Sequence, residues 1–141
     1  MQELLNEFAE TLATGYKQLA RISEAESIVM QALWQRAPQG ADEVFAAVGP
    51  GQGWQEATVK TLLNRLLRKR AIAAERDGRR YLYRPLLARA DYMHAESTSL
   101  LERLFDGRVS ALVAHFSRSE RLSKQEIDEL RALIEEIDDG A

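Results

Sequence analysis

Cysteine is absent from the 141 residues, so disulfides, thiolate metal sites and cysteine nucleophiles are all excluded. Histidine occurs only at His94 and His115, with no motif around either, and signals neither a metal site nor a catalytic base. No apolar run approaches the ~20 residues that span a bilayer. The opening MQELLNEFAETLATG is acidic where a secretory leader would be basic. No S-x-x-K, G-x-S-x-G, Walker or G-x-G-x-x-G pattern occurs. GPGQG at 49–53 lacks the lysine of a phosphate loop and reads as a turn. The carboxylates between Glu126 and Asp139 ring an amphipathic helix without EF-hand spacing. These absences leave no candidate active site. The chain reads as a cytoplasmic protein that is not an enzyme and needs no cofactor or metal.

Hydrophobic residues make up 45% of the chain and charged residues 29%, enough for the core of one ordinary domain or two small ones. Charge is unevenly spread. Between Trp54 and Ala90 ten Lys and Arg face only Glu56, Glu75 and Asp77, a surplus of seven, although the whole chain is at −3. The remainder therefore carries −10. A basic centre between acidic ends predicts a polyanion-binding surface on a chain that polyanions otherwise repel.

The first 21 residues form an N-terminal extension, with Leu4, Leu5, Phe8 and Leu12 on one side of a possible short helix. SEAE at 23–26 is a capping box, with Ile22 as its staple. It opens a helix carrying Ile28, Val29, Ala32 and Leu33, which RAPQG at 36–40 ends. A second, short helix is predicted from about Asp42 to Val48, and a third from about Gln55 to Lys69. Around the third, Val59, Leu62, Leu63, Leu66 and Leu67 form one stripe; Ala57, Lys60, Thr61, Asn64 and Arg68 centre opposite, with Arg65 and Lys69 on a flank. Two strands joined at Asp77-Gly78 follow. Read as a type I′ turn, that dipeptide sets Glu75 opposite Arg80 and Arg76 opposite Arg79. The two arginines either splay into water or share an anion.

Beyond Pro85 three helices are predicted: Ala88 to Phe105, Val109 to Phe116, and one opened by the capping box SKQE at 123–126 and running to Ile137. They carry Leu100, Leu101, Leu104, Phe105, Leu112, Val113, Phe116, Ile127, Leu130 and Ile134. Three short helices cannot bury so much apolar surface alone. They pack on a second copy as a dimerisation surface, or the tail folds over the N-terminal half.

The fold class is thus mostly α with a small β-wing: a winged helix-turn-helix over residues 22–86, then a three-helix dimerisation domain over 87–141. Such a fold suits duplex DNA. An α-helix fits the major groove, where base edges carry a distinct donor and acceptor code, and cations supply affinity by releasing counterions. Ala57, Lys60, Thr61 and Asn64 are the expected base readers, ahead of Arg68; Arg65, Arg68, Lys69, Arg79 and Arg80 suit phosphates; and Gln55 and Thr58 stand at the helix start.

ISEAESIVMQALW, WQEATVKTLLNRLLRKRAI, DGRRYLYRPL, SLLERLFDGRVSALVAHF and LSKQEIDELRALIEE together resemble the penicillinase-repressor family, BlaI and MecI, over about Ile22 to Ile137. The resemblance implies a dimeric repressor on a palindromic DNA operator. It also implies relief by a membrane sensor metalloprotease that detects β-lactam and cuts the repressor's dimerisation domain. Carried over, the scissile bond is His115–Phe116, with histidine where the family usually has asparagine. Arg70 stands where the family often has glycine after the third helix, which either strains a left-handed cap by ~1 kcal/mol or changes it. The first 20 or so residues exceed the usual family start. The missing cysteines exclude the copper sensing of related repressors. Two alternatives share the same pattern: a repressor of this family acting on genes unrelated to antibiotics, or a winged helix that docks an acidic protein.

Overall fold

The computed structural model describes residues 22–119 and 122–140. The expected N-terminal helix lies outside them. In order, the elements are α1 (Glu24–Gln35), β1 (Gln39–Gly40), α2 (Ala41–Gln52), α3 (Glu56–Arg68), β2 (Ile72–Asp77), β3 (Arg80–Pro85), α4 (Arg89–Phe105), α5 (Val109–Arg118) and α6 (Lys124–Gly140). The described residues are mostly helical with one three-stranded antiparallel sheet in the order β1-β3-β2. Two compact units divide between Glu96 and Ser97, so the first two turns of α4 belong to the first unit.

The capping box is formed as the sequence predicts. The Ser23 N–H donates to Glu26 Oε1 and the Glu26 N–H to Ser23 Oγ, both at 3.1 Å. Helices α1, α2 and α3 then close on Ile22, Val29, Met30, Leu33, Val44, Val59, Leu62, Leu63, Leu66, Ala71, Ile72 and Leu87, all buried. Trp34 seals the edge: its ring nitrogen donates to the Leu87 carbonyl at 2.8 Å, and its ring lies 5.5 Å from that of Tyr92.

Three local expectations need correction. GPGQG is not a loop, because α2 continues through Pro50 to Gln52. Proline costs that last turn one N–H, but the exposed carbonyls are recaptured. Gly53 turns left-handed at φ 70°, Trp54 donates to the Gly49 carbonyl at 3.0 Å, and Gly53 donates to the Pro50 carbonyl at 3.3 Å. RAPQG includes a short strand, with Gln39 paired to Tyr83 and Gly40 to Leu82. Two residues are too few for any alternation to show in the sequence.

The hairpin register also differs. Asp77 pairs with Arg80, Arg76 with Tyr81 and Glu75 with Leu82, so Arg76 and Arg79 do not face each other. The turn residues are Gly78 and Arg79, and Gly78 takes φ 63° while neither Asp77 nor Arg79 is left-handed. A glycine-first turn needs no positive φ at a non-glycine residue, whereas a type I′ turn centred on Asp77-Gly78 does. Moving the turn by one residue shifts every pair by two. Ile72 and Ala74 therefore share a face with Tyr83 in either register, and the hydrophobic pattern could not choose between them.

Two positions beyond α3, Arg70 keeps the left-handed cap despite the departure from glycine. Arg70 has φ 61°, and Ala71 donates to the Leu66 carbonyl at 3.0 Å. An L-residue there carries ~1–2 kcal/mol of strain, offset in part by the greater unfolded-state freedom of glycine, about 0.5–1 kcal/mol. Arg70→Gly is therefore expected to raise stability by about 0.5–1 kcal/mol, seen as a higher urea midpoint with unchanged slope. An unchanged or lower midpoint would show that the left-handed cap carries no such strain.

Candidate nucleic-acid interface

Helix α3 is held by its apolar stripe. Val59, Leu62, Leu63 and Leu66 are at most 4% exposed, and Leu67 packs at the core's edge. That burial turns Gln55, Ala57, Thr58, Lys60, Thr61, Asn64, Arg65 and Arg68 outward, and all eight are exposed. Gln55 precedes the first turn without a side-chain capping bond, so its amide is available at the positive end of the helix dipole. Thr61 folds its hydroxyl back onto the Ala57 carbonyl at 3.0 Å, so the hydroxyl is engaged by the helix itself. Lys60 lies 3.8 Å from Glu56 one turn earlier, a loose surface pair worth ~0.3–0.5 kcal/mol.

Carboxylate partners sort the remaining cations. Lys69 turns inward: its ammonium is 2.6 Å from Glu26 Oε1. Arg80 reaches Glu43 at 3.3 Å and Asp42 at 3.9 Å, at the start of α2. Arg84 lies 3.8 Å from Glu75. Two of the expected phosphate contacts, Lys69 and Arg80, are thus engaged by acids of the body. Arg65, Arg68, Arg70, Arg76 and Arg79 are exposed and have no carboxylate partner among the described residues. Arg70 and Arg76 were not among the residues predicted to touch DNA, although both count in the positive surplus of the segment. The signal was there, but sequence alone could not show which cations the body's acids would claim.

Glu26 is 2% exposed. Burial pushes its carboxyl up, but hydrogen bonds from Lys69 and from the Ser23 amide and hydroxyl, with the lysine's charge, outweigh burial and hold it below the ordinary value of 4.5. A depressed folded value means the stabilisation is complete above about pH 4.5 and is lost as pH falls through the folded value. The wild-type chain is therefore expected to exceed Glu26→Gln by about 1–2 kcal/mol at pH 6, with the gap closing below pH 4.5. Urea midpoints at the two ends of that range test it, and a gap that does not change with pH would contradict it.

In the second unit the picture reverses, because no described residue of α4, α5 or α6 is buried. Leu104 is 62% exposed, Phe116 37% and Ile134 62%. Leu100 is exposed as well, while Leu101, Phe105, Leu112, Val113, Ile127 and Leu130 are half-buried. His115 and Phe116 lie inside α5, near its end, and the His115 ring sits between those of Phe105 at 5.8 Å and Phe116 at 5.4 Å. No cluster of His, Asp and Glu suited to a metal occurs among the described residues. No helix among them is long and apolar enough to cross a membrane.

The family described as penicillinase repressor matches residues 22–136. The penicillinase repressor of Bacillus licheniformis is 32% identical over 120 residues, covering 85% of this chain and 94% of that one. The methicillin resistance regulatory protein MecI of Mammaliicoccus sciuri is 29% identical over 113 residues, covering 80% and 92%. Among solved structures, the DNA-binding domain of the repressor BlaI is 31% identical, covers 52% of this chain and 90% of its own, and superposes with a TM-score of 0.49. With a match across both compact units, the chain belongs to the penicillinase repressor family, a family of transcriptional repressors and not of enzymes.

Proposed function

We propose that the chain is a DNA-binding transcriptional repressor that works in the cytoplasm as a homodimer on a palindromic operator. The observation that carries this reading is α3. One face of it is sealed into the core while the other presents Gln55, Lys60, Asn64, Arg65 and Arg68 to solvent. The name of the Bacillus licheniformis relative, a penicillinase repressor, and that of MecI, a regulatory protein, support it.

Each protomer lays α3 in a major groove. Asn64 can bond adenine at two positions, Lys60 can donate to guanine, and Thr61 contributes a methyl for thymine. Arg65, Arg68 and Arg79 meet phosphates. The apolar faces of α4, α5 and α6 pair two copies, holding two reading heads about 34 Å apart, one turn of DNA. Repression follows from occupancy of the operator by this tethered pair.

Relief would come from cutting between His115 and Phe116 by a membrane sensor metalloprotease that responds to β-lactam. That bond lies within helical backbone, so a protease must first unwind the end of α5. Loss of α6 then removes Ile127, Leu130 and Ile134 from the pairing surface. The same geometry serves a repressor of genes unrelated to antibiotics, and the neighbouring genes distinguish the two.

Fluorescence anisotropy with a duplex from the gene's own upstream region tests the central claim. Affinity is expected to fall by ~10³-fold or more between about 50 and 200 mM salt. Binding that ignores salt, or that prefers an acidic protein to the duplex, would overturn the reading.

A further inference from the structure

We propose that Glu26 is a positioning residue for DNA reading: through Lys69 it fixes the end of the recognition helix α3 against α1. The inference rests on the DNA-binding function proposed above. Lys69 directly follows α3 and closes it, its N–H donating to the Arg65 carbonyl at 3.0 Å. Its ammonium reaches across 43 positions of sequence to Glu26 Oε1, in the first turn of α1, at 2.6 Å. Glu26 is itself pinned, since the same oxygen accepts from the Ser23 N–H and the Glu26 amide donates to Ser23 Oγ.

Stability alone does not account for this pair. Desolvation of a buried carboxylate cancels much of the attraction it gains, and apolar replacements of buried ion pairs are often as stable. Glu26 Oε2 is also buried without a hydrogen-bond partner, which costs further stability. The pair adds a fixed distance. Leucine contacts between α1 and α3 tolerate small sliding and rotation, whereas a hydrogen-bonded ion pair at 2.6 Å does not. Arg65 and Arg68 lie on the last turn beside this anchor, and Asn64 immediately precedes them. Rotating α3 by a few degrees would move Asn64 off its base edge, whose two-point bond tolerates little displacement, while the long side chains of Arg65 and Arg68 can still follow the phosphates. Lys69, expected from sequence to touch a phosphate, then acts behind the interface.

The test compares two duplexes: the one the full wild-type chain selects from a random-sequence library, and a scrambled duplex of equal length. Glu26→Gln and Lys69→Met are each expected to lower the ratio of selected to scrambled affinity by about tenfold, the size of one base contact. Affinity for the scrambled duplex and its salt slope should stay as in the wild type. Combining the two changes should cost no more than either alone, and Lys69→Arg should restore most of the ratio. All are measured below each variant's melting midpoint.

If Lys69→Met weakens both duplexes alike and lowers the salt slope by ~1 per head, while Glu26→Gln does nothing, Lys69 is a phosphate contact and the proposal is overturned. If melting midpoints fall but the ratio holds, the pair is structural only, and the proposal is equally overturned. A wild-type chain that selects no duplex overturns the DNA reading, and this proposal with it.

Discussion

A chain ending at Glu96 is expected to fold, to remain monomeric, and to bind a palindromic operator ~10²–10⁴-fold more weakly than the full chain. The buried core runs from Ile22 to Leu87, and Tyr92, whose ring packs tilted against that of Trp34, is kept. Every described helical residue removed is exposed or half-buried, so the deletion takes nothing from that core. It removes the tether. With two linked heads, the second binds at an effective concentration near the millimolar range, which a free monomer at nanomolar concentration cannot match. A duplex holding one half-site separates this cause from damage to the reading head, because full and truncated chains should bind it equally. Sedimentation and anisotropy read the two quantities. A truncated chain that held the palindrome as tightly as the whole would remove dimerisation from the mechanism. In the full chain, Phe116→Asp or Ile134→Asp should give a milder version by placing a carboxylate in the pairing face.

What the sequence made legible follows from the range of the forces involved. The stripe of Val59, Leu62, Leu63 and Leu66 is a periodic pattern within one helix, and each of these side chains is buried. The Ser23–Glu26 capping box depends on residues three apart and forms as read. Errors arise where a local signal admits two solutions. Asp77-Gly78 marks the hairpin, but not which residue pair makes the turn, because both registers bury the same face. GPGQG reads as a turn, yet α2 runs through Pro50 to Gln52 and is closed by Gly53 and Trp54 beyond it.

Charge was least legible. Lys69 and Arg80 belong to the basic segment by sequence, but their partners Glu26, Asp42 and Glu43 come from distant positions that only the tertiary fold brings near. Counting cations pointed to a basic segment; which of them the body's acids engage needed the structure. Arg70 shows the opposite case. Its place beyond α3 left two outcomes open, a strained left-handed cap or a different one, and φ 61° selects the first.

Arg65→Gln combined with Arg68→Gln should weaken binding to every duplex by ~10²-fold or more at moderate salt and make it much less salt-dependent. Both guanidiniums are exposed on the last turn of α3 without a carboxylate partner among the described residues. If each neutralises one phosphate per protomer, a dimer loses four contacts. At about 0.9 per contact, the logarithmic salt slope should fall by ~3–4. Glutamine keeps helix propensity and an unbranched polar side chain, though a shorter one, so the change chiefly removes charge, along with a few tenths of a kcal/mol from the favourable placement of cations at a helix end. Asn64→Ala supplies the contrast. An amide that reads one base edge carries no charge, so its removal should leave the slope alone and relax discrimination at one base pair of each half-site by ~1–3 kcal/mol. Together the two variants divide α3 into a face that recognises and a flank that holds. Equal effects of Asn64→Ala and the double arginine change on slope and on discrimination would show that no such division exists.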